Sequence, residues 1–476
     1  MPSVTRSNAR LLAHHLYEFV ECEHRVALDA TVDRAERTPP GAAMEMLFEH
    51  GRAFEREVAA GLRYPTVEVR GDDWEGAFEE TVALMRSGVA GIDQGVLLGP
   101  GRLARPDLLE RVPGASGLGE FHYVPGDIKS ALAPRSDAAM QVGFAAVLLE
   151  AVQGVRPSSG FLILGDGSRE VLDLESIRTT VDEAVMRAES LVLGEAATVP
   201  GYCRACARCR WRGRCLPELE KAHDISFVHG LTRTRQRVLR ARGVESIDAL
   251  AAADIDVLVA SGVPADGLDR AQRQARALLS GGVEGRREVP VPSGSRRELY
   301  LRIETDPLDG AQPFLVSWGE ARIRGALETA RGVVVSSVSE RADVADELIR
   351  FLEGAAVVRE PVYVFGGQTS RALEALCDLV GLAPARAGDL LGRLVDLAPW
   401  VRRGGVLPVF RYSFAEVAAV ARRMPRPALD AAEDDLFVIH AGIRDGAEGA
   451  SARRDLESAG REAVGALHAI RRWLDR

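Results

Sequence analysis

The placement of the cysteines constrains the fold of this chain more than any other feature of its sequence. Four cysteines fall within thirteen residues, in the pattern Cys203-x2-Cys206-x2-Cys209-x5-Cys215, and Cys22 lies more than 180 residues upstream. Thiolates are ligands for soft metals and iron–sulfur clusters. A tetrahedral centre takes four ligands, so the last three cysteines need a fourth that arrives through the fold, unless Cys203 supplies it locally. An iron–sulfur cluster, a zinc ion and inert thiols are the alternatives at this point.

Length and composition indicate a globular protein of several domains. The chain has 476 residues, and domains typically span roughly 100–200 residues, which predicts two to four of them. The hydrophobic fraction of 46% and the charged fraction of 27% are typical of a soluble protein. No stretch approaches the ~20 apolar residues of a membrane span, and the N-terminus lacks the pattern of a signal peptide. We therefore expect a cytoplasmic protein that has no membrane contact.

The periodicity of apolar residues predicts an α/β multidomain architecture. Residues 1–224 are expected to form the first domain, residues 225–285 a small all-α region, and residues 286–476 a second α/β domain, with the Gly/Pro-containing stretch 281–294 as a linker. The elements expected in the first domain are helices between residues 5 and 60, a meander of strands from 95 to 130, a helix over 137–152, a hairpin at 165–167 and a helix over 174–193. Cys377 lies in an apolar, helix-like run and is expected to be a buried, inert thiol.

Charge is distributed unevenly along the chain. The formal net charge of -9 argues against a nucleic-acid partner, but residues 204–242 carry eleven Lys or Arg against three acids, or about eight net positive charges. Four arginines of this stretch, Arg233, Arg235, Arg237 and Arg240, are therefore expected to contact DNA phosphates. The alternative is a plain helical segment whose arginines are merely solvated.

Two aspartates and a lysine form a pattern suited to phosphodiester chemistry. Asp107 follows Pro106 on a predicted strand, and Asp127-Ile128-Lys129 ends the next one. Side chains alternate along a strand, so Asp127 and Lys129 should project from the same face. Carboxylates hold the hard cation that polarises a phosphoryl oxygen and lowers the pKa of a bound water, and a nearby lysine can stabilise developing negative charge.

The surrounding residues add a resemblance to a known family. Glu55 on a predicted helix, Asp107, Asp127 with Lys129, and Gln141 on the following helix occur in an order that resembles the RecB-like branch of the PD-(D/E)XK nuclease superfamily. The resemblance implies a restriction-endonuclease-like core, catalytic roles for these five residues, and Mg²⁺ or Mn²⁺ on Asp107 and Asp127. Many relatives have an aromatic residue four positions after the glutamine, where this chain has Ala145. Read alone, Glu55 or Gln141 could equally lie on a solvated helix face.

The cysteines fit the same family. One cysteine before the nuclease core and C-x2-C-x5-C after it resembles the iron–sulfur staple of RecB-like and CRISPR-associated four-cysteine nucleases. The resemblance implies a [4Fe–4S] cluster held by Cys22, Cys206, Cys209 and Cys215. Zinc is the alternative metal, and Cys203-x2-Cys206-x2-Cys209 is the alternative ligand set.

The remaining regions resemble domains that accompany such nucleases. The glycine turns near Gly243 and Gly262 look like paired helix-hairpin-helix units, which bind DNA phosphates through backbone N–H groups. Residues 286–476 resemble an RNase H-like exonuclease domain, which carries D-x-E on its first strand. Its metal-binding positions are depleted: Arg302 replaces the first aspartate, Thr369 and Ser370 replace later acids, and Ala463 replaces an aspartate of the last helix, while Glu304, Asp306 and Asp396 remain. We expect this domain to be catalytically inactive.

Together these features predict a metal-dependent DNA nuclease. The expected substrate is single-stranded DNA or DNA ends, in repair, processing or defence, and the resemblance implies a helicase or another repair or defence protein as a partner. The alternative is a DNA-binding scaffold with weakened nuclease activity.

Overall fold

The chain is built from mixed α/β structure. The computed structural model describes residues 10–134, 136–354, 360–429 and 435–475, which contain eighteen α-helices and thirteen β-strands in three sheets. The chain divides into two compact units, Met1–Leu216 and Pro217–Arg476. Within the described ranges, no helix is long and apolar enough to cross a membrane.

The first unit opens with helices and continues as a sheet. Its strands are β1 (Leu11–Leu12), β2 (Gly91–Asp93), β3 (Leu97–Gly99), β4 (Arg102–Ala104), β5 (Leu108–Ser116), β6 (Gly119–Ile128), β7 (Ser159–Ile163) and β8 (Arg169–Asp173). Its helices are α1 (Ala13–Glu21), α2 (Glu23–Thr31), α3 (Ala42–Leu62), α4 (Trp74–Ser87), α5 (Ser136–Gln153) and α6 (Arg178–Val192), and α7 (Arg212–Lys221) crosses the boundary between the units. Of the helical region predicted over residues 5–60, residues 5–9 lie outside the described residues, Leu11–Leu12 form the strand β1, and helices begin at Ala13. The helix over 137–152 and the hairpin at 165–167 are confirmed, and the helix predicted over 174–193 spans 178–192.

The main sheet of the first unit has the strand order β2-β5-β6-β7-β8. All neighbouring strands are antiparallel except β6 and β7, which α5 connects in parallel. The predicted run from Leu103 to Leu109 is divided between two sheets, because β4 pairs with β1 and β3 while β5 pairs with β6. Pro106 lies between the two segments and lacks the N–H that a continuous central strand would need.

The helix α5 is the core element of this unit. It is apolar on nearly all sides, as expected of a helix buried all round. It packs against α1 and β6, and Phe144, Ala145 and Leu148 lie in the largest core cluster of the unit. Ala145 is therefore a core residue, and its small size is matched to the close packing of α5 with its neighbours.

The second unit begins with short helices joined by glycine turns. They are α8 (Arg233–Arg240), α9 (Ile247–Ala252), α10 (Ile255–Ala260) and α11 (Leu268–Ser280). Gly243 and Gly262 both have positive φ, and the N–H of the following valine donates to the carbonyl of Leu239 and of Leu258. The helices α8 and α10 therefore end with the same hydrogen-bond pattern. The pattern requires a residue in the left-handed region, which glycine adopts without steric cost.

The rest of the second unit is a twisted sheet with a hydrophobic cluster on each face. The sheet order is β11-β10-β9-β12-β13, with β9 (Arg297–Asp306), β10 (Gln312–Arg322), β11 (Leu327–Val334), β12 (Val362–Val364) and β13 (Leu394–Asp396). The helices are α12 (Val338–Gly354), α13 (Gly367–Leu379), α14 (Pro384–Gly392), α15 (Leu397–Gly404), α16 (Phe414–Arg422), α17 (Asp435–Arg444) and α18 (Ala450–Leu474). Alternate residues of β9 enter opposite clusters, Leu299 and Leu301 on one face and Tyr300 on the other. Cys377 is buried on α13, as predicted.

The predicted linker at 281–294 packs against the core of this second unit. Val289 and Val291 are buried in the same cluster as Tyr300. Glu284 forms a two-way backbone bridge with Val406. The prolines and glycines of this stretch therefore shape an irregular but packed segment.

Candidate active site

Asp127 and Lys129 lie together at the end of the central strand β6. Strands on both sides of β6 bury Asp127, which is 2% exposed. Lys129 follows the strand, and its Nζ lies 2.6 Å from Asp127 Oδ2. The strand alternation thus brings a carboxyl group and an ammonium group onto one side, as the sequence predicts.

Asp107 joins this pair because β5 begins directly after it and runs beside β6. The backbone N–H of Ile128 donates to Asp107 Oδ2 at 2.8 Å, and Gln94 Nε2 donates to Oδ1 at 3.0 Å. The carboxyl groups of Asp107 and Asp127 are also within hydrogen-bonding reach of each other. Two aspartates that are twenty residues apart in sequence therefore share one site.

The ionisable side chains of the site alter one another's pKa values. Burial raises the pKa of Asp127 to about 8; Lys129 opposes this rise and Asp107 adds to it. Burial and the nearby Asp107 also raise the pKa of Glu55, which lies half-buried on α3. Without a cation, burial, with a smaller contribution from Asp107, therefore favours the protonated form of Asp127 near neutral pH.

Glu55 is the third acid of the site, whereas Gln141 is less closely tied to it. Glu55 is near enough to Asp107 and Lys129 for their charges to act on its pKa. Gln141 is half-buried on α5, and among the residues that the structure describes its side chain forms no hydrogen bond to the carboxyl groups. The structure therefore brings four of the five predicted residues into electrostatic contact.

Sequence reasoning missed two residues at this site. Lys129 Nζ lies 5.9 Å from the centre of the Tyr17 ring, a cation–π arrangement. Gln94 donates to Asp107, as described above. Tyr17 on α1 has no motif spacing to the acids, and only the fold brings it there. For Gln94, the one sequence signal was the glycine that follows it, which is typical of a turn.

The carboxyl groups fit a hard cation. Asp127 Oδ2 is buried, and within the described ranges it has no hydrogen-bond donor in good geometry, although Lys129 Nζ is close. A buried acceptor without a donor is costly unless a cation or a proton satisfies it. Oxygen donors are the ligands that Mg²⁺ and Mn²⁺ prefer.

A second group of potential ligands in the first unit is committed to the fold. His14, His15 and Asp29 are the one trio of His, Cys, Asp or Glu in the described ranges whose ligand atoms lie within 4.8 Å of one another. His15 Nδ1 accepts the N–H of Leu12, and Asp29 accepts hydrogen bonds from the Trp211 ring and two guanidinium groups. His15 Nδ1 and both Asp29 carboxylate oxygens thus already accept hydrogen bonds within the fold.

Five cysteines line one pocket in the first unit. Its walls include Cys22, Cys203, Cys206, Cys209 and Cys215 together with Arg25 and Arg212. Cys22 lies between α1 and α2, and the thiol of Cys203 contacts those of Cys206, at 3.7 Å, and Cys22. The structure thus brings the four cysteines of the predicted staple together and adds Cys203.

A network of ion pairs joins the segment before α7 to the helices α1 and α2. Arg210, in the segment before α7, contacts Glu18 of α1 and lies 2.7 Å from Asp29 Oδ2 of α2. Arg25 lies 2.7 Å from Glu18, and Trp211 Nε1 donates to Asp29 at 2.8 Å. Burial raises the pKa of Glu18 to about 7, although Arg25 and Arg210 oppose the rise. The network ties the cysteine-bearing segment to the first two helices independently of any metal.

The four arginines of α8 divide into two kinds. Arg233 and Arg237 are exposed. Arg240 donates twice to the buried Asp224, at 2.8 and 2.7 Å, and Arg235 lies 3.3 Å from Asp266. Arg240 therefore stabilises the fold, and Arg233 and Arg237 are the better placed to meet a phosphate.

The acidic residues that remain at the predicted metal-binding positions of residues 286–476 already have partners within the protein. Arg302 Nε donates to Glu304 at 2.6 Å, and Asp306 accepts from the buried His440 and from Arg444. Asp396 caps α15 through the N–H of Ala398. Each of these acids therefore has a hydrogen-bond partner within the fold.

No protein-family model matches the chain, and no curated protein matches it significantly. The arrangement of the side chains is therefore the basis for assigning a function.

Proposed function

We propose that the chain is a nuclease that hydrolyses phosphodiester bonds of DNA with the help of Mg²⁺ or Mn²⁺. The observation that carries the proposal is the meeting of half-buried Asp107, just before β5, with buried Asp127 at the end of β6, where Lys129 Nζ lies 2.6 Å from Asp127. Glu55 completes the acidic set. The proposed substrate is single-stranded DNA or DNA ends, and residues 1–224 form the proposed nuclease domain.

Each side chain has a role that its position supports. Asp107 and Asp127 would hold the cation, which supplies Lewis-acid activation of the phosphoryl oxygen and of the attacking water. With Asp127 ionised on the cation, Lys129 keeps its proton, because burial lowers its pKa but the attraction of Asp127, Asp107 and Glu55 raises it overall. Its ammonium group can therefore donate hydrogen bonds to a phosphoryl oxygen and stabilise the charge that develops there. The half-buried Glu55 carboxylate can orient water at the same edge of the sheet.

For the cysteine pocket we propose a [4Fe–4S] cluster held by Cys22, Cys206, Cys209 and Cys215. With Zn–S bonds of about 2.3 Å, four thiolates around one zinc ion lie about 3.8 Å apart. Among the cysteines, all of which are described, no three sulfur atoms lie within 4.8 Å of one another. The Cys203 and Cys206 sulfur atoms, 3.7 Å apart, do have the spacing of zinc ligands, but no third sulfur joins them at that spacing, which favours a larger cofactor. The lining Arg25 and Arg212 would offset its negative charge.

A DNA-binding scaffold is the second candidate function, and the second unit favours it. There Glu304, Asp306 and Asp396 are engaged by arginine, histidine or backbone partners. Exposed Arg233 and Arg237 on α8 suit phosphate contacts. We infer that residues 225–285 bind DNA without sequence preference, and that the RNase H-like region supports the protein without cleaving.

The decisive experiment is degradation of end-labelled single- and double-stranded DNA with Mg²⁺ or Mn²⁺. The wild type should cleave, and Asp127→Ala and Lys129→Ala should each reduce the rate by at least about a hundredfold, because each removes one element of the chemistry. Glu304→Gln, which changes an acid of the second unit, is the matched control and should cleave normally. Binding without cleavage in the wild type would establish the scaffold instead, and full activity in both site variants would refute the assignment.

A further inference from the structure

Gln94 has an unusual backbone conformation beside the candidate active site. It follows β2 directly and has a φ of 55°, in the left-handed region that residues other than glycine rarely adopt. Such conformations are retained where the surrounding structure enforces them, often near functional groups. The contacts of Gln94 show what this conformation achieves.

Both the backbone and the side chain of Gln94 are bonded to Asp107. The Gln94 N–H donates to the Asp107 carbonyl at 2.8 Å, and Gln94 Nε2 donates to Asp107 Oδ1 at 3.0 Å. The other carboxylate oxygen accepts the N–H of Ile128. Each Asp107 oxygen thus has one fixed N–H donor and keeps a second lone pair.

The residues around Gln94 hold the turn in place. Arg105 Nε donates to the Gln94 carbonyl at 3.3 Å, and Thr66 Oγ1 donates to Asp93 at 2.8 Å. The N–H of Val96 donates to the buried Thr81 Oγ1 at 2.9 Å. The turn is therefore fixed before, at and after Gln94, which lets it maintain a strained residue.

We propose that Gln94 is a positioning residue that orients the Asp107 carboxylate for a divalent cation. This inference rests on the proposed function. Hydrogen bonds to a ligating carboxylate fix its orientation and commonly change metal affinity by about 10–100-fold. In the left-handed conformation, Gln94 directs its side chain back to the residue that its own N–H already contacts. The Gln94 amide and the Ile128 N–H thus each hold one oxygen of the Asp107 carboxylate.

The competing explanation is that Gln94 serves only to form the turn. Replacing Gln94 with glycine distinguishes the positioning role from the turn role, because glycine adopts a positive φ without strain but has no side-chain amide to donate. Gln94→Asn gives a second test, since asparagine tolerates this region while its amide is one methylene shorter. Arg63→Gly is the matched control: Arg63 is exposed, has a φ of 54° and ends α3.

The test is a Mn²⁺ titration of the full-length protein, in which electron paramagnetic resonance measures free Mn²⁺, together with urea unfolding and hydrogen exchange of first-unit peptides in the same samples. We expect Gln94→Gly to be at least as stable as the wild type but to bind Mn²⁺ about tenfold more weakly, and Gln94→Asn to bind more weakly as well. Arg63→Gly should match the wild type in affinity, and Asp127→Asn should lose the site.

Three results would overturn the inference. Wild-type Mn²⁺ affinity in both Gln94 variants, with binding lost in Asp127→Asn, would refute the role of Gln94 while leaving the metal site intact. Wild-type binding no stronger than that of Asp127→Asn would refute the proposed metal site as well. If both Gln94 variants lost stability, and affinity fell only in proportion to the unfolded fraction, Gln94 would be a residue of the turn alone.

Discussion

Replacing Arg210 with methionine should destabilise the first unit strongly. Arg210 bridges Glu18 and Asp29, whose side chains are only 6% and 2% exposed, while its own is 27% exposed. Breaking a fully buried ion pair costs about 3–5 kcal/mol. Here Glu18 keeps Arg25 and Asp29 keeps Arg37, and water screens part of the guanidinium, so we expect a loss of about 2–3 kcal/mol in the free energy of unfolding near pH 8.

The loss should depend on pH, because burial raises the pKa of Glu18 to about 7. A carboxyl group whose pKa is higher in the folded state than in the unfolded state stabilises the fold below its unfolded pKa. This contribution disappears as the pH rises through the folded pKa. Without Arg210, the pKa of Glu18 should rise further, so ionising it becomes more costly. The difference between variant and wild type should therefore be largest near pH 8 and smaller near pH 5.

The assay is urea unfolding of metal-free protein at both pH values, combined with hydrogen exchange of peptides from α1 and α2. Hydrogen exchange measures the stability of the first unit separately, whereas a single unfolding curve averages over both units of the chain. Arg187→Met is the matched control, because Arg187 pairs with Glu23 at the surface, with 40% and 37% exposure, and should cost under about 1 kcal/mol. An Arg210→Met loss no larger than that of the control, or a larger loss at pH 5 than at pH 8, would contradict the reasoning.

Three further predictions concern the metals and DNA. Because burial raises the pKa of Asp127 to about 8, Mn²⁺ must displace a proton, and calorimetry should show affinity rising up to about tenfold per pH unit below pH 8; pH-independent binding would argue against this coupling. The double variant Arg233→Gln/Arg237→Gln should reduce the slope of log affinity against log salt for duplex DNA by about 0.9 per lost phosphate contact, and an unchanged slope would mean that these arginines are only solvated. Anaerobically purified wild type and Cys203→Ser should contain about four iron atoms per chain and Cys22→Ser far fewer, whereas zinc without iron would exclude the cluster.

The parts of the structure that sequence predicted are those that local pattern determines. The alternation of β6 sets Asp127 beside Lys129, and the continuous apolar run of α5 marks it as a buried helix. The glycine turn between β7 and β8 was recognisable because its residues tolerate a positive φ. In each case the information lies within about twenty residues.

The parts that sequence missed depend on contacts between distant segments. Tyr17 reaches Lys129 across more than a hundred residues of chain, and Arg210 meets Glu18 and Asp29 in the same way. These residue types are common on exposed helices, so nothing local distinguishes them. The position of Arg240 against Asp224 is a similar case, because a charge-rich helix gives no indication of which arginine turns inward.

The ion-pair network around Arg210 has a consequence for how the protein matures. A pocket whose walls are joined by guanidinium–carboxylate contacts and by the Trp211–Asp29 hydrogen bond is assembled by the polypeptide alone. If the proposed cluster occupies this pocket, its iron and sulfide would therefore enter a site whose walls the side chains already hold together.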